Sequence, residues 1–135
     1  MKGANTFFSA SNADGGVEAT ENASSFEYKY DAESGGVILT KYKNITFDVI
    51  IPSVIENYPV VKIGCELFEN CRFRSVNIPG GITSIGDYAF YNCNSSQPIT
   101  IPDSVKKVGF WAFRGCYTLS DDSAERIRQI NPGAV

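Results

Sequence analysis

Ile85-Gly86-Asp87-Tyr88-Ala89-Phe90-Tyr91-Asn92-Cys93 is echoed by Val108-Gly109-Phe110-Trp111-Ala112-Phe113-Arg114-Gly115-Cys116, with aliphatic residue, glycine, alanine, phenylalanine and cysteine at matching places. A fainter copy lies upstream at Ile63-Gly64-Cys65-Glu66-Leu67-Phe68-Glu69-Asn70-Cys71. Gly64, Gly86 and Gly109 therefore step by 22 and then 23 residues, as do Phe68, Phe90 and Phe113. A fixed period of that length marks a solenoid, in which each coil buries its apolar face only by stacking on its neighbours.

Working outward, each repeat opens on a β-prone stretch that ends in Ile-Pro: Val49-Ile50-Ile51-Pro52, Val76-Asn77-Ile78-Pro79 and Ile99-Thr100-Ile101-Pro102. Proline cannot donate to a ladder, so it stops the strand. Alternation places Val49, Ile51, Val76, Ile78, Ile99 and Ile101 inside and Ile50, Asn77 and Thr100 outside, along one face. A second apolar pair follows in each coil, Val60 with Ile63, Ile82 with Ile85, and Val105 with Val108, and then the glycine. Glycine there implies either a positive φ or an approach too close for a Cβ. Asn70, Asn92 and Gly115, each just before the repeat cysteine, tolerate left-handed geometry and suggest a second corner. Leu67-Phe68, Ala89-Phe90 and Ala112-Phe113 supply the core, with each ring burying about 150 Å² or more. The first coil has about five extra residues between Pro52 and Gly64, read as a longer loop. The second is one residue short after Cys71, so that Phe73 is expected in the place of Ser96 and Leu119.

Both ends of the stack need covers, because an open coil exposes strand edges and apolar surface. Phe26-Glu27-Tyr28-Lys29-Tyr30, turn residues Asp31 to Gly36, and Val37-Ile38-Leu39-Thr40-Lys41-Tyr42 read as a hairpin, and residues 26–46 as an amino-terminal cap. Repeats occupy 47–119. Residues 120–131 read as a capping helix: Ser120 to Asp122 lie at its start, Arg126 and Arg128 towards its end, and Ala124, Ile127 and Ile130 on one face. Residues 26–135 thus form one domain. Residues 1–25, with an unattached Phe7-Phe8 pair, lack apolar periodicity and read as a disordered tail or linker.

At 135 residues and 43% hydrophobic, the chain has material for one real core. A net charge of −3 and the sequence pI near 4.9 argue against nucleic acid as partner. No apolar run spans a bilayer, so membrane insertion is not expected. Met1 to Ala10 falls short of a signal peptide, which leaves an internal protein or a mature form as readings.

The chain has no histidine, which removes the commonest general base and the commonest zinc ligand. No catalytic residue, metal site or cofactor is assigned. Cys71, Cys93 and Cys116 recur at the repeat period and read as a ladder of buried thiols, although stacked coils also permit a disulfide sterically. Asp121-Asp122 reads as helix capping rather than a calcium loop, and the Asn22, Asn44 and Asn94 sequons carry little information.

What the frame does not require inside is Asp87, Tyr88, Tyr91, Phe110, Trp111 and Arg114, in the variable slots of the glycine-to-cysteine segment. Stacking should bring Tyr88 beside Trp111 and Tyr91 beside Arg114. Aromatic residues with arginine are the stuff of binding hot spots, and aromatic faces also suit sugars. Two readings stand: a partner-binding strip, or rings laid over the solenoid's own surface. Asn77 and Thr100 on the Ile-Pro face are further candidates.

These motifs resemble the BspA-type leucine-rich repeat family over residues 37 to about 131: an Ile-Pro strand, then Val-x-x-Ile-Gly-x-x-Ala-Phe-x-x-Cys. The resemblance implies a leucine-rich-repeat solenoid, β-rich with a short parallel sheet and about three coils. It further implies an extracellular or cell-surface protein acting in adhesion, here by binding a protein or glycan without catalysis. The chain departs from the pattern at Cys65 and Leu67 and in lacking a signal. A structural spacer within a larger surface protein is the alternative. A monomer is expected.

Overall fold

The segments before the repeat glycines, rather than the Ile-Pro segments, build the continuous sheet. A computed structural model describes residues 25–43 and 47–135. Its elements are β1 (Phe26–Asp31), β2 (Gly36–Tyr42), β3 (Asp48–Ile50), β4 (Val54–Ile55), β5 (Tyr58–Ile63), β6 (Arg72–Phe73), β7 (Ser75–Asn77), β8 (Ser84–Ile85), β9 (Asn94–Ser95), β10 (Lys107–Val108), α1 (Asp121–Ile130) and a 3-10 turn, Pro132–Ala134. The main sheet runs β1-β2-β5-β8-β10, with β4 folded back on β5. Only β1–β2 and β4–β5 are antiparallel; β2–β5, β5–β8 and β8–β10 are parallel. The tail with Phe7 and Phe8 and the Asn22 and Asn44 sequons lie outside the described residues.

The register stacks one residue from each layer. Leu39 lies opposite Ile63, Ile63 opposite Ile85, and Ile85 opposite Val108, all buried. Each following glycine N–H donates to the layer before: Gly64 to Leu39 O, Gly86 to Ile63 O and Gly109 to Ile85 O, each at 2.8 Å. Of the two readings of these glycines, the close approach holds. None has a positive φ. A Cβ on Gly86 would stand 2.7 Å from Cys65 N, and those on Gly64 and Gly109 would collide with Leu39 O and Asp87 N.

The phenylalanine ladder is the core's spine. Phe68 and Phe90 stack at 5.1 Å, and Phe90 and Phe113 at 5.0 Å with planes 7° apart. Phe26 and Tyr42 from the hairpin close its amino-terminal end, packing on Phe68 at 6.1 and 5.1 Å. The hairpin is therefore a partial coil as well as a lid. Tyr28 ties it to the first coil by donating from its hydroxyl to Glu56 Oε2 at 2.6 Å.

Three expectations need correction. The Ile-Pro stretches do not form three strands: β3 and β7 pair in parallel, while Ile99 makes only an isolated bridge to Leu119. Val76 is only half-buried. The extra residues of the first coil are not an open loop but a tight β4–β5 hairpin, with Glu56 and Asn57 at φ 52° and 70° in the left-handed region favoured by two-residue hairpin turns. Phe73 aligns with Ser95, not Ser96. The shortening falls after this position, so Ser95 is buried, its hydroxyl donating to Arg74 O at 3.0 Å, and Ser96 is exposed.

At the far end Ser120 caps α1, its side chain accepting from Ser123 N at 3.3 Å, and Ile127 is fully buried. Arg126 donates to Pro102 O and Val105 O, each at 3.1 Å, tying α1 to the last coil. The 3-10 turn then supplies carbonyls that the next coil would have provided: Trp111 N donates to Gly133 O and Phe113 N to Ala134 O, each at 2.8 Å.

Candidate functional site

Each glycine-to-cysteine segment turns twice through the left-handed region. The second corner is at Asn70, Asn92 and Gly115, with φ of 63°, 56° and 76°, as their residue types suggest. Asn92 Nδ2 donates to Asn70 Oδ1 at 3.0 Å, which stitches the corner between coils. The first corner is at Glu66, Tyr88 and Trp111, with φ of 64°, 61° and 55°. Sequence reasoning missed it, because none of the three is a residue type that favours positive φ. The signal available was the period itself.

That corner aims the aromatic side chains of two successive coils into one cluster. Tyr88 lies 5.8 Å from Trp111 and 5.3 Å from Tyr91. Phe110 lies 6.1 Å from Tyr88 and 5.1 Å from Trp111, the latter pair nearly parallel at 14°. The expected neighbour of Tyr88, Trp111, is thus found. The backbone brings the coils together at Tyr91 and Arg114, where Asn92 N donates to Arg114 O at 2.7 Å, and the Tyr91 ring itself stacks on Trp111 at 5.9 Å with planes 5° apart. Arg114 instead sets its guanidinium over the Trp111 ring, 4.4 Å from the centroid. Tyr88, Tyr91 and Trp111 are half-buried, Arg114 is exposed, and Phe110 keeps 50% of its surface open. Asp87 also has an internal role: its Oδ1 accepts from Phe110 N at 2.8 Å, bracing the turn of the next coil.

Asn77 and Thr100 belong to a different wall. Asn77 lies opposite Ile50 in β3–β7, and all three are exposed. Beside them Asp48 pairs with Arg74 and accepts from Ser75 Oγ at 2.6 Å. The Arg74 guanidinium first, and the Ser75 hydroxyl second, hold the Asp48 carboxyl down at about 2.

Burial pushes the Cys71, Cys93 and Cys116 thiols up, and Cys93 is pushed further by its two neighbours in the ladder. All four cysteines are free thiols, with Cys65 exposed. Among the described residues no three His, Cys, Asp or Glu side chains gather as a metal site, and no helix is long and apolar enough to cross a membrane.

Comparison with known proteins adds context to this geometry. The profile of the BspA type leucine rich repeat region matches residues 42–134 in six copies. No curated protein matches the chain. The crystal structure of a leucine rich cell surface protein from Faecalibacterium prausnitzii A2-165 is similar at 37% identity and a TM-score of 0.61, covering 71% of this chain and 28% of that one. The chain thus spans little more than a quarter of that relative. A leucine-rich repeat protein from Bacteroides capillosus ATCC 29799 is similar at 26% identity and a TM-score of 0.50, covering 71% of this chain and 91% of that one.

Proposed function

The chain belongs to the BspA-type leucine-rich repeat family, and on that premise we propose that it is a non-catalytic interaction domain whose contact surface is the aromatic strip. In this reading it works at the cell surface, binding a protein or glycan in adhesion. The observation that carries it is the pair Tyr88 and Trp111, large aromatic side chains on a left-handed corner. Glycine or asparagine would sit there at lower conformational cost, by about 1 kcal/mol or more. Residues that oppose the local backbone preference, and that converge with Phe110 and Arg114 on a partly open cluster, are better accounted for by contact with a partner than by stability. The relative described as a cell surface protein supports the location.

The test is capture by the immobilised full chain of purified extracellular-matrix proteins and of an arrayed glycan set. Trp111→Asn and Tyr88→Asn keep a side chain suited to the corner while deleting the ring, and each should weaken capture by about tenfold. Undiminished capture by both variants, each folded by circular dichroism, would remove the strip from the interaction. A second reading, a spacer within a larger surface protein, is favoured by the small share of the relative that the chain spans. It predicts no capture by the isolated domain.

A further inference from the structure

Building on the interaction role just proposed, we infer that the strip recognises an acidic–apolar–basic peptide segment, with Arg114 as the anchor for the acid. The case begins with how the arginines are used. Arg74 pairs with Asp48, Arg128 with Glu125, and Arg126 donates to backbone carbonyls and lies 3.9 Å from Asp103 Oδ1. Arg72 and Arg114 are both exposed, and of these two Arg114 is the one held over an aromatic ring. Arg114 is fixed over Trp111 by the ring's attraction for a cation, which consumes none of its five N–H donors. Among the described residues it makes no side-chain hydrogen bond or ion pair. A guanidinium held in place with its fork unspent is preorganised for a carboxylate.

The rest of the strip sets the order of the partner's groups. Phe110 flanks the same indole at 5.1 Å and is half open, so it offers an apolar seat beside the Arg114 position. The Asp87 carboxylate accepts from the Phe110 N–H through Oδ1, and Asp87 is exposed. The surface therefore reads guanidinium, indole, phenyl, carboxylate. Its complement is a carboxylate, an apolar side chain, then a cation. In an extended segment, side chains on one face recur every second residue, about 6.6 Å apart. Asp-x-Phe-x-Lys places the three complementary groups on one face of such a segment in that order. A flat sugar ring is served less well, since Trp111, the largest platform in the strip, already carries the guanidinium across its face.

The protein reports on this site directly, because Trp111 is its single tryptophan. The full chain, labelled with nitrogen-15, is titrated with a Gly/Ser-framed nonapeptide containing Asp-Ser-Phe-Ser-Lys, with a version carrying Lys for Asp, and with one carrying Ala for Phe. Sialyllactose and dilution of the protein alone complete the series. The first peptide should move the Trp111 indole N–H signal, and both altered peptides should bind several-fold less tightly. Arg114→Gln should weaken the first peptide by about fivefold, the scale of an exposed ion pair, and Arg114→Lys by less. Added salt should narrow the difference. Equal binding of all three peptides, or no effect of Arg114→Gln, overturns the inference, as does a peptide series that leaves the indole signal unmoved. A response to sialyllactose alone reassigns the anchor to an acidic sugar, and shifts on dilution reassign it to a second copy of the chain; either also overturns it. If Trp111→Asn abolishes capture of matrix proteins or glycans while Arg114→Gln does not, the interaction role stands and the peptide class falls.

Discussion

Glu66, Tyr88 and Trp111 occupy equivalent corners with φ between 55° and 64°, although only glycine, asparagine and aspartate enter that region readily. The corner is set by the frame, since each N–H there donates to a carbonyl of the following layer: Glu66 to Asp87, Tyr88 to Phe110 and Trp111 to Gly133. Trp111→Ala and Trp111→Asn both lose the ring and its contacts, but asparagine tolerates the backbone. Chemical denaturation should therefore find the asparagine variant more stable by about 0.5–1 kcal/mol; equal stabilities would mean that the corner relaxes. Gly109 carries the opposite constraint. Its φ suits any residue, but a Cβ would strike the Asp87 backbone, with Asp87 Cα at 2.7 Å. Gly109→Ala should cost about 2 kcal/mol or more, as overpacking does. That the repeat glycines are special was legible in the sequence. Which of two reasons applied was not, because a close approach depends on the neighbouring coil.

Between residues and the whole lie the ladders. The Phe68, Phe90, Phe113 stack shares its core cluster with the buried thiols of Cys93 and Cys116. Phe90→Ala should cost about 3–5 kcal/mol, read from the shift in denaturation midpoint. In the native chain Ellman's reagent should react with exposed Cys65 and leave Cys93 and Cys116 until the coils open. Fast reaction of all four would show that the coils breathe independently. On the other wall, β3 and β7 are joined by Asp48 with Arg74 and Ser75. The folded carboxyl is held at about 2, below its ordinary value near 4. A depressed carboxyl contributes stability that is present above the ordinary value and is lost as pH falls through the folded one. Wild type should therefore lose stability between pH 4 and 2 more steeply than Asp48→Asn; parallel curves would count against the pair. Element types followed well from residue chemistry where Pro, Asn and Gly punctuate the chain. The sheet was misplaced, because Val-rich stretches on either side of Ile-Pro have similar β propensity and only pairing partners distinguish them.

The whole molecule is a short stack whose ends are finished differently. At one end β2 joins the sheet in register, so Leu39 begins the row that Ile63, Ile85 and Val108 continue. At the other, α1 covers the last coil, and Gly133 and Ala134 take up the Trp111 and Phe113 N–H groups. A chain ending at Leu119 would lose α1, the Arg126 contacts and these two acceptors together. Gel filtration and circular dichroism should find it associated or largely unfolded, as uncapped repeats are; a folded monomer would show that the last coil closes by itself. The sequence alone determined the period, most of the core residues and the presence of a cap at each end, since burial by stacking demands the same residue type at the same place in every coil. It also singled out Tyr88, Tyr91, Phe110, Trp111 and Arg114 as residues that the frame leaves over. Only the tertiary structure decided that Tyr91 stacks on Trp111, that Arg114 lies over the same indole, and that Asp87 braces Phe110. The physical reason is that periodicity specifies which residues share a layer, whereas the direction a side chain takes follows from the backbone corner beneath it, and the neighbouring coil imposes that corner.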